Sequence, residues 1–145
     1  MSGVRIEVAR RATSELARAV SALNRQLSSS PREWSVDGLG ELLSAESNTL
    51  FVAYLDDAIV GMLTLVTYPI PTGIRARIED VVVDESARGR GIAFDLTTAA
   101  VDLAREKGAR TVDLTSRPER AAANRLYLRA GFTARDSVTY RRTLE

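Results

Sequence analysis

The chain contains no cysteine and no histidine. Those two absences remove disulfides, thiolate nucleophiles, histidine general bases and the usual zinc ligand sets, so any chemistry must use Glu, Asp, Tyr, Ser or main-chain groups. No metal site is expected. Lysine is nearly absent too: Lys107 is the only one, and it precedes Gly108 rather than following a glycine, which excludes the phosphate-binding pattern G-x-x-x-x-G-K-[ST]. Charge of one sign is also lacking. The net charge of +1 gives no argument for a nucleic-acid surface and suits a small anionic ligand better. Arg5, Glu7, Arg10 and Arg11 break up the short apolar run at the start, so neither a signal peptide nor a membrane span is expected there, and a cytoplasmic location follows.

What is present is enough for a core. A length of 145 residues with 45% hydrophobic and 27% charged content predicts one compact domain over residues 1–145. Val4, Ile6 and Val8 alternate as a strand, and Leu16, Val20, Leu23 and Leu27 recur on one helical face. A break at Ser28 to Pro31 precedes a shorter helix from Val36 to Ala45. Leu50 to Leu55 and Ile59 to Val66, separated by Asp56-Asp57-Ala58, read as an antiparallel hairpin, with Tyr68 to Gly73 as a loop and Arg75 to Val83 as the next strand. A helix from Gly91 to Lys107, a strand from Thr111 to Thr115 and a helix from Pro118 through Tyr127 follow, ending at Gly131. Two short strands, around Phe132 to Ala134 and Val138 to Thr143, complete the expected order.

The most informative string is Arg88-Gly89-Arg90-Gly91-Ile92-Ala93, between a strand and a helix. Gly89, Gly91 and the small Ala93 let main-chain N–H groups approach an anion, the following helix N-terminus adds unsatisfied donors and a positive dipole end, and Arg88 and Arg90 add countercharge. This reads as a phosphate cradle. The dinucleotide pattern G-x-G-x-x-G fails, because Phe94 occupies its third small position. A plain solvated turn is the competing interpretation.

This loop, its flanking elements and the later Asn124, Tyr127 and Gly131-Phe132 together resemble the GNAT superfamily of acyl-CoA N-acyltransferases. Motifs carry the resemblance from about Arg75 to Phe132; Arg88, Gly91 and Ala93 satisfy the family's loop pattern of Gln or Arg, two residues, Gly, one residue, Gly or Ala. The first half matches in element order alone. The resemblance implies an α/β fold, with a mixed, mostly antiparallel twisted sheet of about six to seven strands and about four helices. It implies that residues 88–93 bind the pyrophosphate of acetyl-CoA, and that a β-bulge frees main-chain groups of Val81, Val82 and Val83 to pair with the pantetheine arm, with Asn124 a further cofactor contact.

An amine acceptor with a pKa near that of lysine is almost entirely protonated at neutral pH, so a base is useful. Strand alternation puts Arg77, Glu79, Val81 and Val83 on one face and Ile78, Asp80, Val82 and Asp84 on the other, so Glu79 and Asp80 share a face only across a bulge. The family often has a glutamate here, which makes Glu79 the expected base and Asp80 the next candidate; a structural ion pair with Arg77 is the plainer role. Tyr127 lies three residues after Asn124 on one helix face. The family pattern makes Tyr127 the acid that protonates the leaving thiolate, against a core aromatic in Leu126-Tyr127-Leu128. A main-chain N–H of Val82 or Val83 is the expected oxyanion donor, and direct transfer in a ternary complex is the economical mechanism.

Acceptor contacts are expected from Ser28 to Asp37, from the Tyr68 loop and from the final hairpin, with Trp34 and Tyr68 as an apolar wall. Glu33, Asp37 and Asp136 read more simply as solvated charges. The expected partner is a small-molecule amine rather than a protein, nucleic acid or membrane; homodimers are common in the family. Two other functions compete: an acyl-CoA-binding sensor with little catalysis, and an interaction domain whose glycine loop is only a turn.

Overall fold

A computed structural model describes residues 3–144. They divide into two compact units, one reaching Thr115 and the other beginning at Ser116.

The first unit is built on a five-stranded sheet in the order β1 (Val4–Val8), β2 (Asn48–Leu55), β3 (Ala58–Ile70), β4 (Gly73–Val83), β5 (Val112–Asp113). The first four strands are antiparallel neighbours and β5 runs parallel to β4. The sheet is therefore mixed and mostly antiparallel, as expected, with five strands among the described residues rather than six to seven.

Helices cover both faces. In α1 (Ser14–Leu27) the Thr13 hydroxyl accepts from the Leu16 N–H at 3.1 Å, satisfying one of the orphan donors of the first turn. Its stripe buries Leu16, Ala17, Val20 and Leu23, whereas Leu27 lies on the surface. In α2 (Val36–Ser44) Ser35 caps in the same way, accepting from Gly38 N–H at 3.0 Å, and Leu39 is fully buried. Truncating such a leucine to alanine costs about 2–5 kcal/mol. These side chains meet Leu50, Val52, Met62 and Val82 on one face of the sheet. On the other face lies α3 (Ile92–Glu106), which buries Ile92, Leu96, Ala100 and Ala104; Leu96 approaches the sheet at Gly61.

The structure corrects the expected end of β3. The stretch from Tyr68 is not a loop, because β3 continues through Ile70 and pairs Tyr68 with Arg75 before a tight turn at Pro71 and Thr72. Pro69 can sit in the strand because register with Ile74 falls near the hairpin end, where its missing N–H matters least.

The second unit contains α4 (Ala121–Arg129), and Gly131 ends it with an N–H bond to the Leu128 carbonyl at 3.1 Å. Pro118 lies ahead of the helix rather than in its first turn. The short strands expected around Phe132 to Ala134 and Val138 to Thr143 are absent among the described residues. Alternating apolar positions mark a segment able to pair, but a strand exists only against a neighbouring edge, and here Val138 and Tyr140 are exposed instead.

Candidate active site

The site begins with an interruption in β4. Leu50, Thr64 and Glu79 stand in one cross-strand row, and Val52, Met62 and Val82 in the next. From Thr64 to Met62 is two residues on β3, while from Glu79 to Val82 is three on β4, so β4 carries one extra residue. That is a β-bulge, with Asp80 at its centre in the left-handed region at φ +51°. Side-chain parity reverses across it. Glu79 and Val82, assigned to opposite faces by plain alternation, share the face covered by α1 and α2.

The bulge coincides with the parting of β4 and β5. Their ladder pairs Ala76 with Val112 and Arg77 with Asp113 and goes no further, so β4 from Ile78 to Val83 has no strand partner on that side among the described residues. Backbone direction follows from one bond: the Asp84 N–H donates to Val60 O on β3 at 2.7 Å. Adjacent amides alternate, so the Val83 N–H faces the open edge and that of Val82 faces β3. The side chains of Val82 and Val83 are buried, leaving the main chain as the part of this segment that a ligand could reach.

One arginine organises the Glu79 carboxylate. Arg77 donates through Nε to a Glu79 carboxylate oxygen at 3.1 Å and through Nη2 to Thr115 Oγ1 at 3.1 Å, bridging β4 to the chain just beyond β5. The Arg77–Glu79 pairing weighed as a structural role is thus present, and it also fixes where the Glu79 carboxylate points. Asp80 is exposed overall, yet neighbouring protein atoms partly desolvate its carboxyl and, reinforced by the charge of Glu79, push its pKa above the ordinary aspartate value.

After β4 the chain makes a 3-10 turn over Glu85–Ala87 and then the glycine loop. Arg88 donates through Nε to Val83 O at 3.1 Å, tying the loop back to the strand end. Gly89 and Gly91 take φ of +82° and +79°, a region that costs an L-residue about 1 kcal/mol or more and a glycine nothing. A Cβ at either position would meet nothing within 4 Å, so open space lies beside this main chain. Gly91 is also the residue preceding α3, which begins at Ile92 with no side-chain cap. A helix N-terminus free of a capping side chain, positive-φ glycines and Arg90 on the surface together fit a pyrophosphate.

The segment from Asp84 to Glu85 is held from the far side by Gln26, the last residue but one of α1, which the sequence did not single out. Its amide donates to Asp84 Oδ1 at 2.6 Å and accepts from the Glu85 N–H at 3.1 Å. The same end of α1 holds the connector to α2: Ser21 Oγ accepts from the Trp34 N–H at 2.8 Å and Asn24 donates to Arg32 O at 3.1 Å. Arg32 stacks over the Trp34 ring at 4.3 Å. Trp34 lines an open groove of about 540 Å³ against α1, with Arg18, Ala22 and Arg25 opposite. Tyr68 is on β3 and, by alternation from Met62, on the same sheet face as Glu79.

In the second unit, Asn124 donates to Arg117 O at 3.0 Å, fixing the turn before α4. Tyr127 meets Phe132 edge to face with ring centroids 6.0 Å apart, and burial raises its phenol pKa above 10.0 while Arg120 opposes the shift. Its hydroxyl therefore stays protonated at neutral pH, the form an acid needs. Among the described residues there is no cluster of acidic side chains able to hold a metal ion. No helix among them is long and apolar enough to cross a membrane.

With this geometry in place, comparison with known proteins identifies the class. The model of the acetyltransferase (GNAT) family matches residues 17–132, and the chain belongs to that family. It is 32% identical over 117 residues to a mycothiol acetyltransferase of Beutenbergia cavernae, covering 77% of this chain and 39% of that protein's length. It is 30% identical to a transcriptional regulator from Bacillus halodurans C-125 of known structure, covering 97% of this chain and 99% of that one, with a TM-score of 0.78. An aminoglycoside acetyltransferase from an uncultured soil metagenomic sample, solved with trehalose, superposes with a TM-score of 0.85 over 99% of this chain and 97% of its own at 24% identity, a likeness of fold alone.

Proposed function

We propose that residues 1–145 act as one N-acetyltransferase domain that moves an acetyl group from acetyl-CoA to a primary amine of a small molecule. The observation that carries this reading is the loop of Arg88 to Ala93, with two positive-φ glycines beside open space at an uncapped helix N-terminus. Acetyl-CoA supplies the activated acyl carbon and a thiolate leaving group. The main chain of Arg88, Gly89, Arg90, Gly91, Ile92 and Ala93 holds its pyrophosphate, and the open edge at Val81 and Val83 pairs with the pantetheine amides, Val82 being turned to β3 instead, with Asn124 a further contact.

Glu79, oriented by Arg77, takes the proton from the acceptor amine. The neutral amine nitrogen then bonds to the acyl carbon while the Val83 N–H stabilises charge on the acyl oxygen; the C–S bond breaks as Tyr127 gives its proton to sulfur, and the proton shed by the new amide nitrogen restores the phenol. Asp80 is the second candidate base, favoured by its raised pKa and its place at the centre of the bulge. Trp34 and Tyr68 line the acceptor side. The mycothiol acetyltransferase relative favours a small-molecule acceptor over a protein.

A regulatory acyl-CoA-binding role is the second reading, favoured by the Bacillus halodurans relative described as a transcriptional regulator. Thermal shift with acetyl-CoA, longer acyl-CoAs and NAD, followed by a free-thiol assay against pooled amines, separates the outcomes. A shift with acetyl-CoA and amine-dependent thiol release is expected; a shift without release from any amine would establish the regulatory reading, and no shift with any CoA ester would overturn both.

A further inference from the structure

Asp84 is the corner where β4 becomes the glycine loop, and it is bonded in three directions. Its N–H holds it to Val60 O of β3 at 2.7 Å; one carboxylate oxygen accepts from the Ser86 N–H at 3.0 Å and from the Ser86 hydroxyl; the other accepts from Gln26 at 2.6 Å. Gln26 also takes the Glu85 N–H at 3.1 Å. One amide side chain thus satisfies a donor and an acceptor on consecutive residues 58 and 59 positions away. Only a side chain with both functions at one end makes this bidentate pair, and α1, packed into the core by Leu16, Val20 and Leu23, supplies a fixed point for it.

We propose that Gln26 is a positioning residue for acyl-CoA binding: by clasping Asp84 and Glu85 it sets the direction in which the chain leaves β4 and so the placement of the Gly89 and Gly91 main chain. The inference rests on the acyl-CoA reading of that loop. It explains why a polar residue on the surface end of α1 spends both its hydrogen-bonding groups on a loop rather than on solvent. Gln26 touches no reacting atom and acts through the two residues it holds. Because Ser21 and Asn24 on the same helical turns fix the Trp34 connector, α1 also links the loop to the segment proposed to meet the acceptor.

The test is titration of the full chain with acetyl-CoA, with the unfolding temperature of each ligand-free variant measured alongside. Gln26→Leu is expected to weaken acetyl-CoA binding about tenfold with an unfolding temperature close to the parent, since the bonds lost are exposed ones. Gln26→Glu is expected to weaken it at least as much, by setting a carboxylate against Asp84. Adding Asp84→Asn to Gln26→Glu reverses the polarity of the bond: the amide introduced at position 84 donates to the carboxylate introduced at position 26, while the Glu85 and Ser86 N–H groups keep acceptors. Binding should then return to within about threefold of the parent. Unchanged affinity in Gln26→Leu, or a double variant no better than Gln26→Glu, would overturn the proposal and leave the acyl-CoA reading standing. A parent protein that binds no acetyl-CoA would overturn both.

Discussion

Arg77 and Glu79 lie two residues apart on one strand and are joined by an Nε to carboxylate bond of 3.1 Å, while the same guanidinium reaches Thr115 beyond the point where β4 and β5 part. The arginine therefore spans the opening in the sheet and fixes the carboxylate beside it.

Arg77→Gln should accordingly separate orientation from stability. The pair is half open to solvent, with side-chain exposures of 34% and 50%, so its loss is expected to cost at most about 1 kcal/mol in denaturant unfolding. Turnover should fall by about tenfold or more if Glu79 is the base, because a base that has lost its placement reacts less often. A large stability loss with unchanged turnover would make Arg77 a strut between strands and nothing more.

Asp80 should reveal itself in the pH dependence of stability. Its folded pKa is raised by partial desolvation and by Glu79, so the fold favours its protonated form; the stability this gives is complete below the unfolded value near 3.8 and is lost as pH rises through the folded pKa. Asp80→Asn, which removes the charge and tolerates φ of +51°, should match the parent at about pH 3 and exceed it at neutral pH. Turnover at neutral pH decides the base: near-complete loss in Asp80→Asn with activity retained in Glu79→Gln would assign the role to Asp80, and the reverse would assign it to Glu79.

Gly91→Ala isolates the conformation of the cradle. The added methyl meets no protein atom within 4 Å, so the cost of about 1–2 kcal/mol expected in unfolding comes from the backbone at φ +79° alone. Acetyl-CoA affinity should fall further than stability does, since the methyl enters the space proposed for the pyrophosphate. Denaturant unfolding and calorimetric titration of the variant measure the two losses.

Tyr127→Phe keeps the ring that meets Phe132 at 6.0 Å and removes only the hydroxyl. Unfolding temperature should change little, while turnover should drop on the order of 10²- to 10⁴-fold if that hydroxyl protonates the leaving thiolate. Full turnover in the variant would return Tyr127 to packing.

Much of this was legible from residue order. Apolar spacing in α1 and α3, the Asp56-Asp57 turn between β2 and β3, and the glycine loop ahead of α3 are local signals: each depends on residues a few positions apart, and the structure contains all of them. The absence of cysteine and histidine restricted the chemistry to carboxylates, tyrosine, serine and main chain in the same direct way. What only the tertiary structure decided are pairings. The extra residue at Asp80, which moves Val82 onto the face of Glu79, exists only by count against Thr64 and Met62 on the neighbouring strand. The parting of β4 from β5 after Arg77, the strand character of Tyr68 and the reach of Gln26 to Asp84 likewise depend on which chain lies alongside. A hydrophobic period records how one segment would bury itself; it carries no register, and register is fixed by partners far away in the sequence.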